Sequence, residues 1–267
     1  MSPIKCWQVD AFTDRPFRGN SAAVCWLEHE VPDDWMQSVA AEMNLSETAF
    51  VRPLADGFDL RWFTPTVEVD LCGHATLATA HALWFAGLAE TAAPLHFHTR
   101  SGVLTCTPAG DFIEMDFPAL PATQASPPAG LLEALGVDAP DFVGRTKFDY
   151  LVVLDSLQAV LAVRPDFRRL AEVPTRGVIV TARLDDSEFD FLSRFFAPAV
   201  GVNEDPVCGS AHCCLADFWG HRLGKRELMA WQASARSGVL RLRLNGDRVV
   251  LGGQAVTVWQ GELLAAP

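Results

Sequence analysis

The sequence predicts an α+β fold of two pseudo-symmetric domains, each a mostly antiparallel, barrel-like sheet around one central helix. Three observations carry that expectation. One phrase is written twice: Arg61-Trp62-Phe63-Thr64-Pro65-Thr66-Val67-Glu68-Val69 leads to Cys72-Gly73-His74-Ala75, and Arg194-Phe195-Phe196-Ala197-Pro198-Ala199-Val200-Gly201-Val202 leads to Cys208-Gly209-Ser210-Ala211 after a longer loop. From 72 to 208 is 136 residues, about half of the 267-residue chain, which is the mark of an internal duplication. The phrase also runs each time into a stretch of helical character, Gly73 to Phe85 and Gly209 to Leu223. The first of these is rich in alanine and almost uncharged, as suits a helix enclosed on all sides. Finally, the remaining apolar runs are short and separated by turn formers, the pattern of many brief strands.

Taken in order, Cys6 to Phe12 and Ala22 to Leu27 read as strands flanking a turn-rich Thr13 to Asn20. Asp33 to Met43 has helical spacing, with Trp35, Met36, Val39, Ala40 and Met43 on one face. Ser46 to Val51 and Leu60 to Phe63 resume strands, followed by the first enclosed helix and then strands in His96 to Thr107 and Phe112 to Phe117. The prolines between 118 and 128 mark 119–128 as a linker, so that 1–118 forms the N-terminal half and 129–254 the C-terminal half. In the second half, Leu151 to Leu154, Gly177 to Thr181 and Phe189 to Phe196 are strands, and Val160 to Arg169 is a short connecting segment. Val239 to Leu244 and Arg248 to Leu251 close the second half, while the strand within 255–267 is expected to return and complete the first.

Composition narrows the function classes. A net charge of −12 opposes phosphate backbones and anionic membranes, and no basic run offsets it, so nucleic-acid binding is not expected. The longest apolar run, Ala75 to Ala86, is interrupted by Thr76, Thr79 and His81 and is too short to span a bilayer. Seven cysteines without framework spacing, and an N-terminus without an apolar signal core, point to reduced thiols in a cytoplasmic protein.

The chemistry sits at the repeat. A thiol at a helix start feels the partial positive charge of unpaired N–H groups, which favours thiolate, and Gly73 and Gly209 let a ligand approach those groups. Two such starts facing one cleft could hold a carboxylate-bearing substrate and move a proton next to its carbonyl, with Cys72 and Cys208 as candidates. Glu47 enters an apolar strand and is a candidate general acid or base; Asp205 is a second acid before Cys208, or a cap for the following helix. No CxxC, HExxH or glycine-rich phosphate loop occurs, so neither a metal nor a nucleotide cofactor is expected.

As a set, Asp10-Ala11-Phe12-Thr13, Phe17-Arg18-Gly19-Asn20, Met43 to Phe50, Trp62-Phe63-Thr64-Pro65, Cys72-Gly73-His74-Ala75-Thr76, Phe196-Ala197-Pro198 and Glu204 to His212 closely resemble the phenazine biosynthesis-like (PhzF) family over essentially the whole chain. The resemblance implies the diaminopimelate epimerase fold with the active site between the two barrels, a homodimer, and no metal or organic cofactor. It implies Glu47 as the acid/base, His74, Asp205 and Ser210 lining the site, and Asn20, Gly73 and Gly209 in substrate binding. Cys208 departs from the threonine of many members, whereas related epimerases and proline racemases carry cysteine at both repeat positions. Three readings stand at this point: a cofactor-independent isomerase using Glu47, a racemase or epimerase of an amino or imino acid using Cys72 and Cys208, and a non-catalytic binding or scaffold protein of the same fold.

Overall fold

A computed structural model describes residues 3–185, 187–265 and 267. The chain forms two compact units, Met1–Asp116 with Gly252–Pro267, and Phe117–Leu251.

The first unit begins with strands β1 (Ile4–Ala11) and β2 (Asn20–Trp26), helix α1 (Asp33–Met43), and strands β3 (Glu47–Leu54), β4 (Gly57–Phe63) and β5 (Glu68–Val69). Helix α2 (Gly73–Phe85) follows, then β6 (Leu95–Thr99), β7 (Gly102–Ala109) and β8 (Phe112–Pro118). Helix α1 buries Met36, Val39 and Ala40, carries Asp33 and Asp34 in its first turn where the helix dipole favours acids, and ends at Asn44 in the left-handed conformation. Helix α2 buries residues on every side from His74 to Leu83. Its two interior threonines remain compatible with burial because each hydroxyl donates to a carbonyl four residues back: Thr76 to Cys72 at 2.6 Å and Thr79 to Ala75 at 2.7 Å.

The second unit holds β9 (Thr123–Gln124), α3 (Leu131–Leu135), β10 (Phe142–Arg145), β11 (Asp149–Val153), α4 (Leu157–Ala162), α5 (Phe167–Leu170), β12 (Gly177–Arg183), β13 (Phe191–Ala197) and β14 (Val202–Asp205). Helix α6 (Gly209–Leu223), β15 (Glu227–Gln232), β16 (Gly238–Asn245) and β17 (Arg248–Gly253) follow. The last strand, β18 (Ala255–Leu263), runs antiparallel to β1 along its whole length, so the chain's end completes the sheet of the first unit.

The pairing repeats. In the first unit β2 and β3 are parallel, β3–β4 and β4–β5 antiparallel, β4 and β6 parallel, and β6–β7 antiparallel. In the second, β11–β12, β12–β13, β13–β14, β13–β15 and β15–β16 follow the same succession. Each enclosed helix enters after the short strand of its set, α2 after β5 and α6 after β14.

Several details differ from the sequence reading. Residues 119–128, expected as a linker from their prolines, are tied into the second unit: Ala119 N–H donates to Asp247 O, Leu120 N–H to Cys213 O, and β9 pairs with β10. Proline removes a donor but leaves these neighbours' amides available. The connecting segment 160–169 is two short helices, and α5 starts at Asp166, whose carboxylate accepts from the Arg168 and Arg169 amides. Strand β13 begins at Phe191 rather than 189, with Asp190 just before it tied to its neighbours. Asp190 bonds Met229 through both its amide and its carboxylate, and the carboxylate also holds Lys225. No helix among the described residues is long and apolar enough to cross a membrane.

Two glycines test how strictly the backbone is specified. Gly19, next to β2, has φ +63° and a Cβ there would stand 2.1 Å from the Ala11 carbonyl oxygen; Gly87 has φ +66° with nothing within 4 Å. Gly87→Ala should therefore cost only the left-handed conformation, about 1 kcal/mol. Gly19→Ala, which adds a backbone clash to the same conformational cost, should lose at least about 3 kcal/mol in urea denaturation.

Candidate active site

The approach to each helix start is held the same way in both units. Arg61 in β4 grips Glu68 with Nε and Nη2, both at 2.8 Å, and Arg194 in β13 grips Glu204 at 2.7 and 3.0 Å. Each guanidinium also lies over the ring two residues further on, Phe63 at 5.3 Å and Phe196 at 4.8 Å. Each glutamate stands four residues before its cysteine, a signal present in the repeated phrase that the sequence reading did not use. These bidentate pairs fix the irregular segment that delivers Cys72 and Cys208 to the N-cap positions of α2 and α6.

In the first unit the helix start meets the beginnings of two strands. The parallel register of β2 and β3 sets Glu47 opposite Ala22, and β1 pairs Ala11 with Asn20. His74 is buried, with Nε2 3.1 Å from Glu47 Oε2 and Nδ1 3.3 Å from Asn20 Nδ2. With the Asn20 amide donating to Nδ1, the neutral ring carries its proton on Nε2, facing Glu47. The Ser46 hydroxyl donates to Asn20 Oδ1 at 3.4 Å and Cys72 Sγ lies 3.5 Å from His74 Nδ1. Glu47 Oε2 is buried, within ion-pair reach of His74 but out of hydrogen-bond alignment, and has no other hydrogen-bond partner. Asn20, Glu47, Cys72 and His74 thus come together, with Gly73 as the first residue of α2.

Charge follows from this packing. Burial disfavours a charged His74, but Cys72 and Glu47 more than offset it and hold the imidazole well above its ordinary pKa. Burial and then Glu47 push the Cys72 thiol up, and His74 with the Ala75 amide offsets only part of that. The Cys208 thiol is also pushed up, first by burial and then by Asp205. This corrects the expectation of thiolates at the helix starts: desolvation outweighs the helix dipole at both cysteines.

In the second unit Cys208 and Ser210 lie together, Sγ to Oγ 3.4 Å. Asp205 Oδ1 accepts from the Val207 amide at 3.2 Å. The buried Gln232 ties the loop down, accepting from the Cys208 amide and donating to the Asp205 carbonyl. His212 Nδ1 lies 2.8 Å from the Cys208 carbonyl, the bond that Thr76 makes to Cys72 in the other half. Gly209 is not imposed by packing, since a Cβ there would meet only Leu251 Cδ1 at 3.4 Å. Sequence reasoning missed Arg176, which reaches Ser210 from 34 residues away along the chain, and Asp149, which holds Arg176; neither belongs to a motif. Glu47, Cys72 and His74 also bring one ligand atom each to within 4.8 Å of the others, a set that could hold a divalent ion although its sequence spacing is unlike the usual metal patterns.

The comparisons agree with this architecture. The family model described as phenazine biosynthesis-like protein matches residues 9–261. An uncharacterized isomerase of Halalkalibacterium halodurans is 54% identical over 99% of this chain and 100% of its own length. A crystal structure of a PhzF-family phenazine biosynthesis protein from Enterococcus faecalis superimposes with a TM-score of 0.94 at 40% identity, covering 99% of this chain and 100% of that one. A hydroxyproline epimerase from Agrobacterium vitis shares the fold alone, with a TM-score of 0.62 at 12% identity over 97% of this chain and 90% of that one.

The geometry around His74 makes a titration prediction. In an NMR pH titration, His74 should titrate above the ordinary histidine value of about 6.5, and Glu47→Gln should bring it down. A raised folded value stabilises the fold fully below the unfolded value, and that contribution is lost as pH rises through the folded one. His212, lowered by burial to about 4, works oppositely: its contribution is lost as pH falls from the unfolded value toward 4.

Proposed function

Because the chain belongs to the phenazine biosynthesis-like family, we propose that it is a cofactor-independent isomerase that moves a proton on a small carboxylate-bearing substrate, with Glu47 as the acid/base. The observation that carries this reading is the buried Oε2 of Glu47, which has no hydrogen-bond donor of its own and lies 3.1 Å from His74 Nε2. A carboxylate oxygen kept unbonded beside an imidazole is ready to take a proton from carbon and return it elsewhere on the substrate. His74, next to Asn20 and 3.1 Å from Glu47, supplies the opposite charge beside the carboxylate while it is ionised. The substrate's carboxylate is taken by helix-start N–H groups, those at Gly73 in the first unit or those at Gly209 and Ser210 in the second, where no side chain obstructs approach at the glycine. Asp205 assists beside Cys208. The Gly209 position supports this, because nothing within its unit requires glycine there.

The two-cysteine racemase has less support. It needs a thiolate, and burial works against that at both cysteines by pushing the thiols up. A family assignment to a homodimer in the cytoplasm goes with the isomerase reading; sedimentation equilibrium at twice the 29.1 kDa chain mass is the expected result for the first.

A thermal-shift screen of small carboxylates, followed by solvent-deuterium incorporation into each hit, tests the proposal. Glu47→Gln should slow incorporation by roughly 10²- to 10⁴-fold while the protein stays folded. Normal incorporation in that variant overturns the role of Glu47, and an absence of incorporation into every hit favours the binding-protein reading. Cys208→Thr should retain turnover; its loss would restore the two-thiol mechanism. Dialysis against a chelator should leave the rate unchanged.

A further inference from the structure

A polar cluster in the second unit has no task in the reading above beyond Ser210 itself. Asp149 opens β11 and is 1% exposed, a carboxylate that burial would penalise if it stood alone. Arg176, immediately before β12, meets it because the parallel register sets Asp149 opposite Gly177. Nε donates to Asp149 Oδ1 at 2.8 Å, and Nη2 donates to Oδ2. The guanidinium is held over the rings of Phe148 and Phe195 at 5.1 and 5.8 Å. The same Nη2 donates to Ser210 Oγ at 2.9 Å.

That last bond decides what Ser210 can do. Arginine only donates, so the serine oxygen is the acceptor, and its one O–H is left to donate. In the resting protein Cys208 Sγ, 3.4 Å away, is the available partner. A cation bonded to the oxygen strengthens that O–H as a donor. Ser210 occupies the place in the repeated phrase that His74 fills in the first half, so the two halves present different polar groups at one structural position. Asp205 and Arg176 act on the Cys208 sulfur in opposite senses, the carboxylate pushing its pKa up and the guanidinium pulling it down.

Resting on the isomerase reading for its ligand class, we propose that Arg176 is a positioning residue: anchored by Asp149, it sets the Ser210 hydroxyl as a hydrogen-bond donor to a ligand carboxylate beside Cys208. A merely structural Arg176 would neutralise Asp149 and leave carboxylate recognition unaffected.

Cys208 reports on this directly through iodoacetate and iodoacetamide, which alkylate sulfur with loss of iodide and differ in carrying a carboxylate or a neutral amide. Rates at Cys208 are read by tandem mass spectrometry. In the native protein the iodoacetate-to-iodoacetamide ratio should exceed that of free cysteine by about tenfold or more, the factor a charge-assisted bond supplies. Ser210→Ala should lower the ratio by about tenfold, leaving only what the backbone N–H groups of the helix start supply. So should the double variant Asp149→Asn/Arg176→Gln, which keeps the net charge and leaves no buried carboxylate unpaired; Arg176→Lys should keep part of the preference. Equal ratios in the native and double-variant proteins, with melting showing both folded, overturn the proposal. If Cys208 reacts with neither reagent, melting shifts with cyclohexanecarboxylate against cyclohexanecarboxamide decide. A native protein stabilised no more by the acid than by the amide overturns it; a preference lost in the double variant supports it. Neither readout needs turnover, so failure of the Glu47 assignment and failure of this inference are separate results.

Discussion

The site depends on the arginine–glutamate grips that close each copy of the repeated phrase. Between the strand carrying the arginine and the helix carrying the chemistry, the chain has little regular structure to hold it. A two-pronged guanidinium–carboxylate bond, backed by a ring under the guanidinium, gives that passage one geometry in each unit. The cysteine then falls at the helix N-cap, and the residue two further on is aimed at its partners. For His74 those are Asn20 and Glu47; for Ser210 they are Arg176 and Cys208.

Burial is the second determinant, and it sets which groups are charged. The helix start offers an electrostatic welcome to a thiolate, yet both N-cap sulfurs are enclosed and the cost of stripping water from the charge is larger. His74 is just as enclosed, but it touches groups of the opposite tendency, and pairing prevails over desolvation. His212 has no such neighbour and stays neutral, with its Nδ1 bonded to a backbone carbonyl. Position on the fold is therefore a poor guide to protonation here, and the immediate partners decide.

Much of the architecture was legible because duplication repeats its own evidence. Arg61 and Arg194, Pro65 and Pro198, and the two Cys-Gly pairs announce two related units, and the uncharged run after Gly73 identifies an enclosed helix. The short strands β5 and β14 were not legible, since two to four residues carry no periodicity; they exist because a neighbouring strand offers them bonds. The segment after Pro118 misled through its prolines, which advertise an open chain while adjacent amides pair normally. In the site, Glu47 and His74 stood out through their surrounding phrases. Asp149 and Arg176 did not, because what joins them is the alignment of two parallel strands, a relation with no signature in residue spacing. The thiol charge state was likewise out of reach, since it depends on how completely the surrounding chain excludes water.

One pair of bonds bears on how the duplicated halves could diverge. Thr76 and His212, matched in the repeat, satisfy the same carbonyl of the preceding N-cap residue with unlike side chains. The backbone requirement at that place is thus met by any suitable donor, which frees the side chain to vary without disturbing the turn. Asymmetry between the halves then accumulates where it costs the scaffold least. Such exchanges let the two halves differ in their side chains with every strand and helix left in place.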